Sequence, residues 1–398
     1  MATHDLNDGE TELIRLARLG AADHDARFAA QAALRSLWSG SPAPTSQSPR
    51  RVMLTAFGAA VTVKIPAALG LGLTAERYVI NVGLWVLAWV LILFSARMRE
   101  TRRVWITVGA VLAALLAFVN VFPFERSGAT LLLTAAHLPV TLWFGIGVVR
   151  AHGRWREASE RLDFVRFSGE TFFYITVLAL AGGVLATLSY RMFASISDST
   201  EAVIGGWLMP CGAAATVVLA AWLADGSERV MGRVALVVQR VFTPLFAVVM
   251  VAFAATAVPA GFLRTFNRDE LAVYDALLVV VSALALYAVA CQGTRPVHRG
   301  HDSSLLVMLM AAVAVDLLIA VSMVNRAADL GLSPNRVAAT GLNLVLLANL
   351  VGLVLRQWRR LRGTDRDAPS AWVATYLPVL AGWATFVAVV LPVVFAGR

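Results

Sequence analysis

From residue 52 to the end of the chain, long apolar runs alternate with short polar connections rich in arginine. A helix needs about 20 apolar residues to cross the hydrocarbon core of a bilayer. Eleven segments answer to that pattern: 52–72, 78–96, 104–122, 130–149, 171–193, 202–224, 241–263, 271–291, 305–323, 338–356 and 371–395. Two are interrupted by polar residues, the first by Lys64 beside Pro66 and the tenth by Asn343 and Asn349. The longest connection, 150–170, is polar and arginine-rich. The pattern predicts an all-α polytopic membrane helix bundle of about eleven transmembrane helices over 52–395.

Ahead of the bundle, residues 1–38 read as a helical appendage. Leu13, Leu16 and Leu19 lie near one helix face, and Phe28, Leu34, Leu37 and Trp38 form a second apolar group. The segment is slightly acidic and a poor ligand for anionic lipid, so it is expected to cover the cytoplasmic ends of the spans. A Ser/Pro linker follows over 39–51, ending in Arg50-Arg51. No basic stretch leading at once into an apolar run opens the sequence, so a cleaved leader is not expected and the amino terminus is placed in the cytoplasm.

Composition narrows the class. Hydrophobic residues make up 59% of the 398, charged residues 15%, and the mean hydropathy is +0.72. A water-soluble enzyme of 42.6 kDa could not bury that much apolar surface in one core, and disordered chains are poor in hydrophobes. Lys64 is the one lysine; the other 33 basic residues are arginine, which reads as the codon usage of a GC-rich bacterial genome. Cys211 and Cys291 both fall in apolar runs and read as small buried hydrophobes.

The net charge of +9 prompts a nucleic-acid reading, but its distribution argues against one. With the amino terminus inside, the cytoplasmic segments and Arg356 hold 25 arginines and the opposite side holds 8. This asymmetry is the positive-inside pattern. It places the carboxyl terminus outside, in the inner (plasma) membrane of a bacterium.

Ionisable residues inside a span are costly and are candidate functional groups. Lys64 and Asp316 lie 12 and 11 residues past the inner starts of their spans. At 1.5 Å per residue both are about 17–18 Å deep, which predicts a Lys64–Asp316 ion pair near the midplane. Asp275 sits one turn inside the outer end of its span, and Glu170 and Arg191 mark the ends of the fifth. His137 is expected to hydrogen-bond within the bundle. Asn81, Asn343 and Asn349 are suited to bonds between helices. Gly182-Gly183 and Gly205-Gly206 are expected to allow close helix packing.

Other motifs carry less chemistry. His298, His301 and Asp302 lack a third well-placed metal ligand, and no metal or cofactor is expected. Ser333-Pro334 reads as a helix start, with Ser at the N-cap and Pro at the first helical position. No phosphate loop, kinase set or nucleophile elbow is present, so no catalytic residue is assigned and enzyme chemistry is not expected.

Phe167-Ser168-Gly169-Glu170, Phe242-Thr243-Pro244-Leu245-Phe246 and Gly331-Leu332-Ser333-Pro334-Asn335-Arg336 carry a resemblance. Over roughly residues 160–395 the chain is similar to a family of bacterial multi-span inner-membrane proteins of the domain-of-unknown-function type. The resemblance implies an inner-membrane location and brings no activity, cofactor or catalytic residue. Two functions stay open. One is a permease-like carrier of a small solute or ion, with the lipid bilayer as its surroundings and Lys64, Asp316 and His137 on its path. The other is a non-transporting scaffold or sensor acting through the amino-terminal appendage.

Overall fold

The computed structural model describes residues 48–70, 74–96, 101–126, 128–194, 199–226, 238–257, 268–292, 297–365 and 367–397. The appendage over 1–38 and the linker as far as residue 47 lie outside the described residues. Every described element is helical, and among the described residues nine helices are long and apolar enough to cross a membrane.

The first apolar segment is broken. α1 (Pro49–Thr62) ends in a turn at Val63-Lys64, and α2 (Ile65–Ala68) resumes with Pro66 in its first turn. Proline has no N–H to give the carbonyl four residues back and its ring crowds that carbonyl. For Pro66 that carbonyl is Thr62's; the neighbouring Val63 carbonyl, in the turn, accepts from the Tyr78 hydroxyl at 3.2 Å.

α3 (Ala75–Ser95) is capped by Thr74, whose hydroxyl accepts from the Arg77 amide. α4 (Thr101–Val121) and α5 (Ala129–Arg150) follow. α6 (Ala158–Phe193) begins well before the predicted span. Its 36 residues extend about 54 Å, and its first turns carry Glu160, Asp163 and Arg166.

α7 runs over 200–226 in three pieces: Thr200–Val203, a π-helical turn Ile204–Leu208, and Met209–Gly226. α8 combines a π-helical turn Val238–Phe242 with Thr243–Ala257, and the end of the predicted seventh span lies outside the described residues. α9 (Arg268–Gln292), α10 (Arg299–Leu330) and α11 (Pro334–Leu361) are continuous. α11 starts as expected, with Ser333 Oγ accepting from the Arg336 amide and Pro334 in the first turn. α12 runs over 368–394, interrupted by a π-helical turn Phe386–Val390.

α3 packs on α5, α6 on α7, α10 on α8 and α11, and α11 on α12. α12 also meets α5, α6 and α9. Large apolar side chains such as Phe172, Leu180, Leu185 and Leu188 of α6 are exposed, the inside-out pattern of a bundle whose solvent is lipid.

Close packing uses glycine, but not the predicted doublets. A side chain at Gly182, Gly183, Gly205 or Gly206 would meet nothing within 4 Å. The sockets are elsewhere. Gly58 seats Trp89, Gly83 Pro139, Gly147 Phe164, Gly169 Tyr287, Gly341 Trp383 and Gly352 Trp372. In each case the ring lies where a Cβ would be, which brings the two helices closer than any larger residue permits.

Candidate functional site

Lys64 and Asp316 do not pair. Lys64 Nζ donates to the Gly206 carbonyl, and the ammonium lies 4.7 Å from the centre of the Trp207 ring. Gly206 sits inside the π-helical turn of α7, four residues before Pro210, which has no N–H to give its carbonyl. Lys64 repairs that gap. Equal depth is one coordinate of three, and the break after α1 turns Lys64 toward α7 rather than α10.

Asp316 is fully buried, and neither of its carboxylate oxygens has a hydrogen-bond partner among the described residues. Its electrostatic neighbour is Asp275. Asn343 Nδ2 donates to Asp275 Oδ1 at 2.9 Å and to its own-helix carbonyl at Ala339, also at 2.9 Å. The same nitrogen lies 3.8 Å from Met323 Sδ on α10. With both amide hydrogens engaged, Asn343 Oδ1 is left buried and without a partner. Three of the predicted residues, Asp275, Asp316 and Asn343, therefore converge where α9, α10 and α11 meet.

A second polar group lies at the other end of the same three helices. Asp302 of α10 accepts from Gln292 Nε2 of α9 at 2.9 Å and from the His298 amide at 3.0 Å. Arg360 of α11 lies 3.5 Å from Asp302 Oδ2, and both side chains are 2% exposed. Gln357 Nε2 donates to the Asp302 carbonyl at 3.2 Å. Asp302 is thus consumed by a buried ion-pair network. Among the described residues no three His, Cys, Asp or Glu side chains group as metal ligands.

The two polar groups are in register. Asn343 follows Asp275 by 68 residues, and Arg360 follows Gln292 by the same interval, so α9 and α11 run side by side in one direction. Asp316 lies 14 residues from Asp302, about 21 Å along α10. Between them on that face stand Leu305, Leu309 and Ala312, all fully buried. On α11, Leu346, Leu350 and Leu353 separate Asn343 from Gln357 in the same spacing, also buried. The three helices thus form a stripe that is polar, then apolar, then polar. Ser282 of α9 lies within the apolar layer, its hydroxyl buried and without a hydrogen-bond partner among the described residues.

Other predicted residues serve the frame. His137 bonds through Nδ1 to the Leu133 carbonyl of its own helix at 2.9 Å, as expected. Asn81 exchanges amide bonds with Asn120 at 2.9 and 3.1 Å, joining α3 to α4. Asn349 is fully buried, away from the Asp275 group, and neither of its amide atoms has a hydrogen-bond partner among the described residues. Glu170, expected at an interface, is 3% exposed beneath Arg150 and Asp163. Arg150 binds Asp163 and Asp225 together and covers the Phe167 ring, tying the ends of α5, α6 and α7.

Sequence reasoning missed Gln292, Gln357 and Arg360. Their signal is the spacing: Asp302 and Asp316, like Asn343 and Gln357, are 14 residues apart, two heptads on one helix face. A cavity of about 150 Å³ between α3, α4 and α5 is lined by Arg77, Val119, Arg126 and Leu131 and contains none of the predicted residues. Compared with protein family models, curated proteins and solved structures, the chain matches none.

Proposed function

We propose that the chain is a permease-like carrier of a small solute or ion in the inner membrane of a bacterium. It crosses eleven times, with the amino terminus in the cytoplasm and the polar group Asp275–Asn343–Asp316 on its path. The observation that carries the reading is Asp316. A bundle that needed only packing would gain by replacing a fully buried carboxylate without a partner with an apolar residue of similar volume.

The count of eleven takes in the two shorter apolar segments. Gly58 and Thr62 meet Trp89 while Val63 meets Tyr78, so α1 descends antiparallel to α3 and α1 with α2 matches it in length. Phe253 of α8 packs on Tyr274 of α9 with ring centres 4.9 Å apart, which supports α8 as the antiparallel neighbour of α9. The cytoplasmic orientation rests on the arginine asymmetry, and the bacterial setting on the arginine-dominated composition and the family resemblance.

The test is solute flux in vesicles reconstituted with the purified chain, screening small ions and metabolites. Uptake that disappears in an Asp316→Asn protein inserted at wild-type level supports the carrier. Uptake equal in the two proteins, or none for any solute, overturns it in favour of the scaffold.

A further inference from the structure

We infer that Asp275, Asp316 and Asn343 form a binding site for a small hard monovalent metal cation of the Na⁺ class. The identity of the ligand follows from the inventory of atoms. Both oxygens of Asp316 and Oδ1 of Asn343 are buried acceptors with no donor among the described residues, and the carboxylate of Asp275 adjoins them. Buried acceptors are ordinarily paired, so three unpaired ones beside a second carboxylate define a missing positive partner. The amide carbonyl is independent of the acidic pair and points the same way. Asn343 spends both amide hydrogens on Asp275 and Ala339, which fixes its orientation and leaves only the oxygen to offer.

The class of cation follows as well. One proton bridges two oxygens, which leaves the remaining acceptors unsatisfied, whereas a metal ion takes several oxygen ligands. Carboxylate and carbonyl oxygens select hard ions. Zinc and the later transition metals favour His and Cys ligands, and no three His, Cys, Asp or Glu side chains gather among the described residues. Magnesium keeps its waters and calcium takes six to eight oxygens, more than these three side chains supply. Asp275 is half-buried and Asp316 fully buried, so the ion enters past Asp275. The leucine layer and the Asp302–Arg360 pair close the other end.

The coupling role of this ion rests on the carrier reading above; its binding is measured separately, at equilibrium and without flux. The full-length chain in detergent is melted in choline chloride with rising NaCl at constant ionic strength. Wild-type protein is expected to gain thermal stability saturably with Na⁺. Asp316→Asn should lose the response, and Asn343→Ala, which keeps both carboxylates, should need at least tenfold more Na⁺. Isothermal titration with NaCl on Asn343→Ala serves if Asp316→Asn does not fold. No Na⁺ response beyond choline, a response to pH alone, or one unchanged in both variants overturns the inference. Loss of flux with Na⁺ binding intact would remove the carrier reading and leave the site standing.

Discussion

Lys64 holds the Gly206 carbonyl across 142 residues of chain, and a second π-helical turn is repaired in the same manner. Thr134 Oγ1 of α5 donates to the Ala388 carbonyl inside the turn Phe386–Val390, at 3.1 Å in a buried setting. Each carbonyl lies four residues before a proline, Pro210 and Pro392, that has no N–H to give it; in lipid no water is available to meet it, so a side chain from another helix does so. Lys64→Met should therefore lower stability by about 1–3 kcal/mol, the cost of an unmet buried acceptor, read as earlier thermal unfolding in detergent. Because Lys64 and Asp316 belong to separate sites, the Lys64→Met and Asp316→Asn effects should add to within about 0.5 kcal/mol. A larger coupling would reinstate the ion pair.

The glycine sockets make a sharper contrast. A Cβ at Gly352 would lie 2.2 Å from two ring atoms of Trp372, and one at Gly341 would lie 2.0 Å from Trp383. Gly352→Ala and Gly341→Ala should each cost about 1–3 kcal/mol by overpacking and quench or shift tryptophan fluorescence. Gly182→Ala, with nothing within 4 Å, should be neutral or stabilising by up to about 1 kcal/mol, since alanine is the better helix former. Equal losses at 182 and 352 would refute the packing account.

Arg360 and Asp302 are both almost completely buried. Removing one partner of a buried pair leaves an uncompensated charge and costs about 3–5 kcal/mol. Arg360→Met should thus fold poorly, with reduced yield and a lowered melting temperature. Adding Asp302→Asn to Arg360→Met should restore at least half of the loss, because it removes the unpaired charge and the amide oxygen still accepts one of the two bonds, from Gln292 or from the His298 backbone. Failure of the double variant to improve on the single would show that Arg360 acts elsewhere.

Orientation is open to a direct chemical test. In a background with Cys211 and Cys291 replaced by alanine, Thr364→Cys between α11 and α12 should react with a membrane-impermeant maleimide only in inverted vesicles. Leu332→Cys, exposed between α10 and α11, should react in intact cells. The opposite pattern would place the amino terminus outside.

Hydropathy made the helices legible, because lipid rewards any sufficiently long apolar run regardless of its neighbours. It also marked the weak point at Lys64-Pro66, where the helix breaks. Depth was readable from residue counting, so Lys64 and Asp316 were placed on one level. Azimuth was not, since it depends on which face of α10 and α7 each helix presents, and the predicted pair failed on that coordinate. Asp275 and Asn343 were named singly but not joined, because their contact requires α9 and α11 to be parallel neighbours. The glycine doublets misled for a related reason: small residues permit close approach, but only a facing ring makes use of it. Arg360 fell beyond the predicted tenth span because helix continues past the apolar run.

Trp372 and Trp383 stand eleven residues apart, as do Gly341 and Gly352, so α11 and α12 mesh like the teeth of a rack. Sliding one helix by a turn would drive the two indoles onto Val345 and Arg356 in one direction, or onto Val337 and Ala348 in the other. Sockets of the same kind fix α1 to α3, α3 to α5, α5 to α6 and α6 to α9. On α10 the one glycine among its described residues, Gly300, faces open space. α10, which bears Asp316, is held without such a socket, by its long packing against α8 and α11 and by the Asp302–Arg360 pair.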